Sequence, residues 1–181
     1  MRIISPAVSR AVIDAGILAA TYPGHDPARW ALPLLDQLDA RATGWQLVEL
    51  DTQALAGLWL PPHSGEPCHG DSISLGDEGG SSVIQAHDWL IAHADAYAAA
   101  NPSCWGRIKF ASKRPMSPLV VSAASVGDRV KPEQAELVVV DGLHRALGFW
   151  MAGERHCQAY APVLDQGRVC AQRGVGLGRS G

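Results

Sequence analysis

Residues 137–160 constrain the fold of this chain more than any other stretch. They begin with the apolar run LVVV, which predicts a strand buried on both faces. Asp141 and Gly142 interrupt that run, and residues 157–163 predict a second strand. Between the two, apolar residues at helical spacing predict a helix with one buried face, ended by Gly153. Those apolar residues are Leu143, Ala146, Leu147, Trp150 and Met151.

The turn between that strand and helix has the composition of an anion site. A helix start offers unpaired N–H groups and a partial positive charge, and Gly142 leaves room for close approach. Arg145 adds a planar cation suited to phosphate, and His144 adds a donor that can titrate. Together they predict a phosphate site. The alternative is that Asp141 only caps the helix and both basic side chains are solvated.

The segment DGLHRALGFWMAG, followed by QAYAPV, resembles the signature of the ParB/sulfiredoxin superfamily. In that superfamily a strand runs into a G-x-H-R or G-x-R-R turn, and the following helix start holds nucleotide phosphates. Gly142, His144 and Arg145 match the pattern. Sulfiredoxins carry their reactive cysteine where this chain has Leu143. Because leucine has no nucleophile, sulfinic-acid repair by that route is excluded.

The resemblance implies an α+β fold, a small mixed sheet flanked by helices, for a ParB/sulfiredoxin-like domain over residues 44–165. Two extra helices, absent from the superfamily core, form an N-terminal helical extension (1–43). Residues 166–181, rich in Gly and Arg and without an apolar period, predict a flexible tail. The implied nucleotide site comprises Asp141, Gly142, Leu143, His144 and Arg145. In related proteins the chain before the next strand lies near the ligand, so Lys113 is a further candidate; the alternative is an exposed basic turn.

The charge distribution argues against a nucleic-acid partner. Residues 42–106 contain no Lys or Arg, although the whole chain of 181 residues holds 15 of them. The same stretch is rich in Asp and Glu, which would repel a phosphate backbone. Four scattered cysteines without a C-x-x-C pair favour reduced thiols in a cytoplasm. No apolar run reaches the roughly 18 residues of a membrane span.

Cap signals predict two helices near the N-terminus. Ser5-Pro6 predicts a helix running to about Ala20, and Asp26-Pro27 predicts a second, kinked at Pro33. We expect them to pack on the sheet; the alternatives are a cap over the site or the surface of a homodimer. Elsewhere the pattern predicts strands over 45–50, 106–110 and 119–123, and helices over 53–60 and 83–100.

Residues 61–82 form a long connection rich in Gly, Pro and Ser, and connections of this size are usually functional. His63, Cys68 and His69 suggest zinc, but their spacing matches no standard pattern and a fourth ligand is not evident. We instead expect a lid that brings the carboxylate of Glu66 or Asp71 over the turn. The alternative is that these charges are simply solvated.

Three hypotheses for function follow. The first is an ATP- or ADP-dependent phosphotransferase acting on a small-molecule hydroxyl, since some relatives with a D-G-x-H-R turn are free-serine kinases. Arg145 would hold the phosphates, Mg²⁺ would bind with help from Asp141, and Glu66 or Asp71 would accept the hydroxyl proton. His144 would act as an acid or base.

The other two hypotheses also come from the resemblance. One is a CTP- or ATP-binding ParB-like module, regulatory or associated with DNA, without catalysis. The other is a ParB-like nuclease, which would need a metal cluster on a basic surface. The chain lacks both a helix-turn-helix segment after the core and a basic track, so we favour the phosphotransferase.

Overall fold

The computed structural model describes residues 1–19, 26–62, 80–113 and 117–164. They form an α+β structure built on one seven-stranded mixed sheet, as the sequence predicts. The strands are β1 (Arg2–Val8), β2 (Ala42–Leu50), β3 (Trp59–Leu60), β4 (Ser81–Ser82), β5 (Leu119–Ser122), β6 (Val138–Asp141) and β7 (Cys157–Leu164). The helices are α1 (Arg10–Ala19), α2 (Pro27–Trp30), α3 (Leu32–Asp39), α4 (Thr52–Ala56), α5 (Val83–Ala100), α6 (Pro102–Ala111) and α7 (Leu143–Met151).

The strand order is β1-β2-β7-β5-β6-β3-β4. Strands β1 and β7 pair antiparallel with β2, β5 pairs antiparallel with β6, and β4 pairs antiparallel with β3. The pairs β5–β7 and β3–β6 are parallel. These directions bring the ends of β2, β3 and β6 to the same side of the sheet as the starts of β1, β4, β5 and β7. We call this side the Gly142 end, because β6 leaves the sheet there.

Each face of the sheet covers its own hydrophobic core. Helices α4 to α7 pack on one face, where Leu90 and Leu147 are buried with Val139. Helices α1 and α3 pack on the other, where Ile13 and Leu35 are buried with neighbours that include Val140. Adjacent residues of β6 therefore point into different cores, which confirms the prediction that this strand is buried on both faces.

The N-terminal segment differs from its prediction. Ser5 and Pro6 lie inside β1, which pairs with β2 from Arg2 opposite Glu49 to Val8 opposite Trp45. Helix α1 begins only at Arg10. Pairing with β2 overrides the local helix-start signal, and a proline is tolerated because β1 is an edge strand. The first element of the predicted helical extension is thus a strand of the same sheet.

The second N-terminal helix follows its prediction. The Asp26 side chain accepts a hydrogen bond from the Ala28 N–H, and Pro27 is the first residue of α2. The expected kink appears as a break at Ala31, just before Pro33 in α3. Arg10 forms an ion pair with Asp14 within α1 and two further pairs, with Asp36 and Asp39, that join α1 to α3.

Two further predictions are corrected between β2 and β5. The strand expected over 106–110 belongs to helix α6, because Pro102 both ends α5 and starts a new helix that buries Ile108. The helix expected over 53–60 ends at Ala56, and its last two residues form β3. Helix α5 occupies residues 83–100 as predicted, with a capping box between Ser82 and Gln85. None of the described helices is long and apolar enough to cross a lipid bilayer.

Candidate functional site

The turn after β6 is a left-handed glycine turn. Gly142 is the N-cap residue of α7 with φ 100° and ψ 28°, and as a glycine it has no side chain of its own with which to cap the helix. A Cβ at this position would lie 2.8 Å from Leu119 Cδ2 and 3.0 Å from Arg145 Nε. Both the positive φ and the close contacts require glycine. The predicted strand–turn–helix unit is thus present.

Arg145 is buried beneath this turn. Its side chain is 5% exposed, and Nη1 donates hydrogen bonds of 2.9 Å to the carbonyl oxygens of Ser117 and Pro118. Its Nη2 forms an ion pair with Asp141. The guanidinium thereby ties the chain that enters β5 to the end of β6. In this arrangement Arg145 supports the turn from inside the protein, and its charge is balanced by Asp141.

The Asp141–Arg145 pair spans the turn, because Asp141 is the last residue of β6 and Arg145 lies in the first turn of α7. The four-residue spacing of ion pairs within one helix therefore does not account for it. Sequence inspection assigned both side chains to a ligand. The other two residues of the turn lie as expected in the first turn of α7: Leu143 packs against the core and His144 is half-buried. The structure therefore brings together five of the predicted nucleotide-binding residues.

The predicted lid carboxylates, Glu66 and Asp71, lie outside the described residues, as do His63, Cys68 and His69. The chain on either side of them is described. Strand β3 ends at Leu60 and β4 begins at Ser81, opposite each other at the Gly142 end of the sheet. Gly80 packs tightly there, because a Cβ would lie 2.6 Å from the Leu60 carbonyl oxygen. Both flanks of the predicted lid are therefore held on the same side as the turn.

Lys113 lies toward the other end of α7 from the turn, on the same Gly142 end of the sheet, where β2 ends and β7 begins. It follows α6 and lines a cavity of about 550 Å³ at the other end of α7. Helix α7 has nine residues, so it spans about 13 Å between the turn and this cavity. The titratable side chains that share the cavity with Lys113 are Glu49, Glu154, His156 and Cys157. Sequence inspection missed this group, because only the pairing of β2 with β7 brings Glu49 close to residues a hundred positions later.

Cys157 forms part of the floor of this cavity. Burial raises the pKa of its thiol to about 12, and the positive charge of Arg145 acts in the opposite direction. A thiol with such a pKa remains protonated at neutral pH, so it is a poor nucleophile and a poor metal ligand. Cys157 therefore serves as an apolar packing residue.

The described residues include no group of three or more His, Cys, Asp or Glu side chains arranged to hold a metal ion. At the turn, the Asp141 carboxylate is already engaged by Arg145. Mg²⁺ commonly binds proteins through one or two carboxylates together with phosphate oxygens and water. The turn is thus compatible with Mg²⁺ that arrives on a nucleotide, rather than with a cage made of protein ligands.

A family model matches residues 28–171, and it is described as a family of unknown function, DUF6309. The chain belongs to DUF6309. No curated protein and no solved structure matches the chain. The DUF6309 region begins inside α2, well before residue 44, where the sequence suggested a domain boundary. It includes α3, the β6–α7 turn, the whole core beneath α4 to α7 and most of the other core, but not Ile13 and Ile17 of α1.

Proposed function

We propose that this DUF6309 protein binds nucleotide phosphates at the β6–α7 turn and transfers a phosphoryl group from ATP or ADP to a small-molecule hydroxyl. The observation that carries the proposal is the left-handed Gly142 N-cap without a capping side chain. The first N–H groups of a helix require partners from outside it, and a phosphate is the ligand best suited to them. The resemblance of the D-G-L-H-R turn to the ParB/sulfiredoxin superfamily supports the same site.

In this proposal the backbone amides of the first turn of α7 and the His144 side chain contact the phosphates. Arg145 acts from below, since its guanidinium donates to Ser117, Pro118 and Asp141. It fixes the position of the turn and adds positive potential behind it. Lys113 lies toward the far end of α7, so it is not needed for the phosphate contacts.

Phosphoryl transfer at this site would proceed by direct displacement. The acceptor hydroxyl oxygen forms a bond to the terminal phosphorus, and the bond from that phosphorus to the bridging oxygen breaks. The hydroxyl proton passes to a carboxylate, Glu66 or Asp71, while ADP leaves from ATP or AMP leaves from ADP. Positioning and charge stabilisation supply most of the catalysis in such reactions. The flanks of residues 63–79 support this role, since β3 ends and β4 begins at the Gly142 end.

Mg²⁺ would accompany the nucleotide, held mainly by its phosphate oxygens, with Asp141 as the carboxylate that the turn itself would contribute. The metal would neutralise charge that develops on the leaving phosphate. We place the reaction in the cytoplasm, where ATP, ADP and reduced thiols coexist.

Histidine substitutions at the two ends of α7 test the proposal. We expect His144→Ala to weaken Mg–ATP or Mg–ADP binding at least about tenfold, or about 1.4 kcal/mol, by calorimetry. His156→Ala removes the same side chain at the far end of the helix and should leave nucleotide affinity unchanged. Thermal unfolding with and without nucleotide checks that both variants are folded.

Equal nucleotide affinity in wild type and His144→Ala would contradict this site. Binding of CTP or ATP without any product in a phosphoryl-transfer assay would instead identify a nucleotide-binding module. A gel-shift assay at physiological salt tests DNA separately, and binding there would favour the DNA-associated alternative.

A further inference from the structure

We propose that the cavity at the C-terminal end of α7 binds a small organic cation, a protonated primary amine on a short aliphatic chain. This site lies at the opposite end of α7 from the β6–α7 turn, and it does not depend on the proposed nucleotide site. Its volume of about 550 Å³ suits a small molecule. Four features of the wall indicate the charge and shape of the ligand.

The first feature is the direction of two helices. Helix α6 ends at the cavity, where its C-cap residue Ser112 forms part of the wall. Helix α7 ends there too, and its C-cap residue Ala152 lines the same space. The C-terminal end of a helix carries a partial negative charge, which stabilises a nearby cation. Arg155 already donates to the Trp150 carbonyl oxygen at the end of α7, at 3.2 Å, so the end of α6 supplies more of the negative potential that favours a positively charged ligand.

The second feature is a pair of carboxylates on separate elements. Glu49 projects from β2, and its side chain is 30% exposed while it pairs with Arg2 at 3.0 Å. Glu154 follows the glycine that ends α7 and is exposed. Arg2 balances Glu49, whereas Glu154 forms no ion pair with any of the described residues, so Glu154 is the better placed of the two for a cation. It is our candidate for direct contact with the ammonium group.

The third feature is the set of basic groups that face the cavity, Lys113 and His156. A lysine ammonium is itself an alkylamine, so Lys113 would occupy the same negative potential that attracts the ligand. Removing its charge should therefore strengthen binding of an amine and weaken binding of an anion. This opposite response makes the sign of the ligand charge measurable.

The fourth feature is an apolar section of the wall. Phe149 and Ala111 contribute aromatic and methyl surface beside the helix ends, and the buried Cys157 thiol lies on the floor. Apolar surface of this kind accommodates a hydrocarbon chain, because contact with it removes methylene groups from water. A fully hydrated ion such as K⁺ would gain nothing from it. The combination favours an alkylamine over a simple cation.

Three four-carbon probes test the proposal on the full chain: butylamine, butyrate and 1-butanol, which carry a positive, a negative and no charge. Titrations followed by nuclear magnetic resonance at pH 7 and low salt would measure each affinity. We expect saturable binding of butylamine, with residues around the cavity shifted, and at least tenfold weaker binding of the other two probes. Glu154→Gln should weaken butylamine binding several-fold, and Lys113→Met should strengthen it several-fold.

Both variants alter exposed side chains, so their unfolding temperatures should match the wild type. Preference for butyrate, loss of amine affinity in Lys113→Met, or no saturable binding of butylamine would each overturn the proposal. Nucleotide titrations of the same samples report on the turn separately, since they would shift residues near Gly142 rather than residues near Glu154. The two proposals can therefore fail independently.

Discussion

Two glycines at the ends of α7 adopt positive φ for different reasons. Gly142 starts the helix and is enclosed by Leu119 and Arg145, whereas Gly153 follows the helix with φ 81° and open space where a Cβ would stand. Gly153 closes the helix by a pair of hydrogen bonds, its own N–H to Trp150 and that of Glu154 to Phe149. Gly142 is required both by its positive φ and by its close contacts with Leu119 and Arg145, whereas Gly153 is required by its positive φ alone.

Alanine substitutions separate these contributions. We expect Gly153→Ala to lower the free energy of unfolding by about 1–2 kcal/mol, the usual strain of a left-handed alanine. Gly142→Ala should cost about 2–5 kcal/mol, because overpacking against Leu119 and Arg145 adds to that strain. Urea unfolding measures both. Equal losses in the two variants would show that the enclosure of Gly142 contributes nothing.

At the scale of elements, helices α6 and α7 cross at a glycine. A Cβ on Gly148 would lie 2.5 Å from Ala111 Cβ and 2.8 Å from the Ile108 carbonyl oxygen. This close approach holds α6 against α7, and so places Lys113 at the cavity. Gly106 lies within α6, where a Cβ would meet nothing within 4 Å. The two positions therefore form a matched pair.

We expect Gly148→Ala to destabilise the protein by up to about 2 kcal/mol, since overpacking between the helices costs about 1–3 kcal/mol and the gain in helix propensity offsets about 1 kcal/mol of it. Gly106→Ala should stabilise it by about 0.5–1 kcal/mol, because α6 gains a better helix former without a clash. Thermal and urea unfolding provide the comparison. Stabilisation by both substitutions would mean that α6 and α7 can separate at no cost.

The sequence predicted helices and strands correctly where the local sequence pattern and the packing of the folded protein favour the same conformation. The β6–α7–β7 unit follows from a buried apolar run, a glycine turn and an amphipathic helix, and each signal points the same way. Residues 106–110 show the opposite case, since their alternating pattern suggests a strand while packing of Ile108 makes a helix. Residues 5–6 fail for a related reason: pairing with β2 decides their conformation.

The candidate site divides in the same way. Residues 141–145 are contiguous, so their proximity was predictable, although the inward direction of Arg145 was overlooked. The cavity around Lys113 was not predictable. Its walls come from β2, α6, α7 and β7. These segments are far apart in the sequence, so a short motif cannot predict that they come together.

At the scale of the whole molecule, residues 1–41 complete the second core. They supply Ile13, Leu35 and Leu38, which are buried against the face of the sheet formed partly by Trp45 and Tyr160. Without them this face would be open to water, and β1 would no longer pair with β2. The predicted division at residue 43 would therefore cut through a continuous structure.

A fragment of residues 42–164 tests this directly. We expect it to show no cooperative unfolding transition and no near-ultraviolet circular dichroism from fixed aromatic side chains. Exposing the apolar face of the second core to water costs more free energy than the remaining packing can offset. The control removes residues 165–181, the predicted tail, which lies outside the described residues, and should keep the unfolding temperature. Cooperative unfolding of the 42–164 fragment would show instead that the rest of the sheet folds without the N-terminal residues, as the predicted division at residue 43 implies.

The outermost described strands also bear on how copies of the chain behave when concentrated. Strand β1 contains Pro6 and two irregularities in its pairing, and β4 has only two residues. A proline removes a donor and a bulge bends the ladder, so neither border offers a long straight row of free amide and carbonyl groups. Growth of fibrils by adding strands at these borders is consequently disfavoured by the backbone itself.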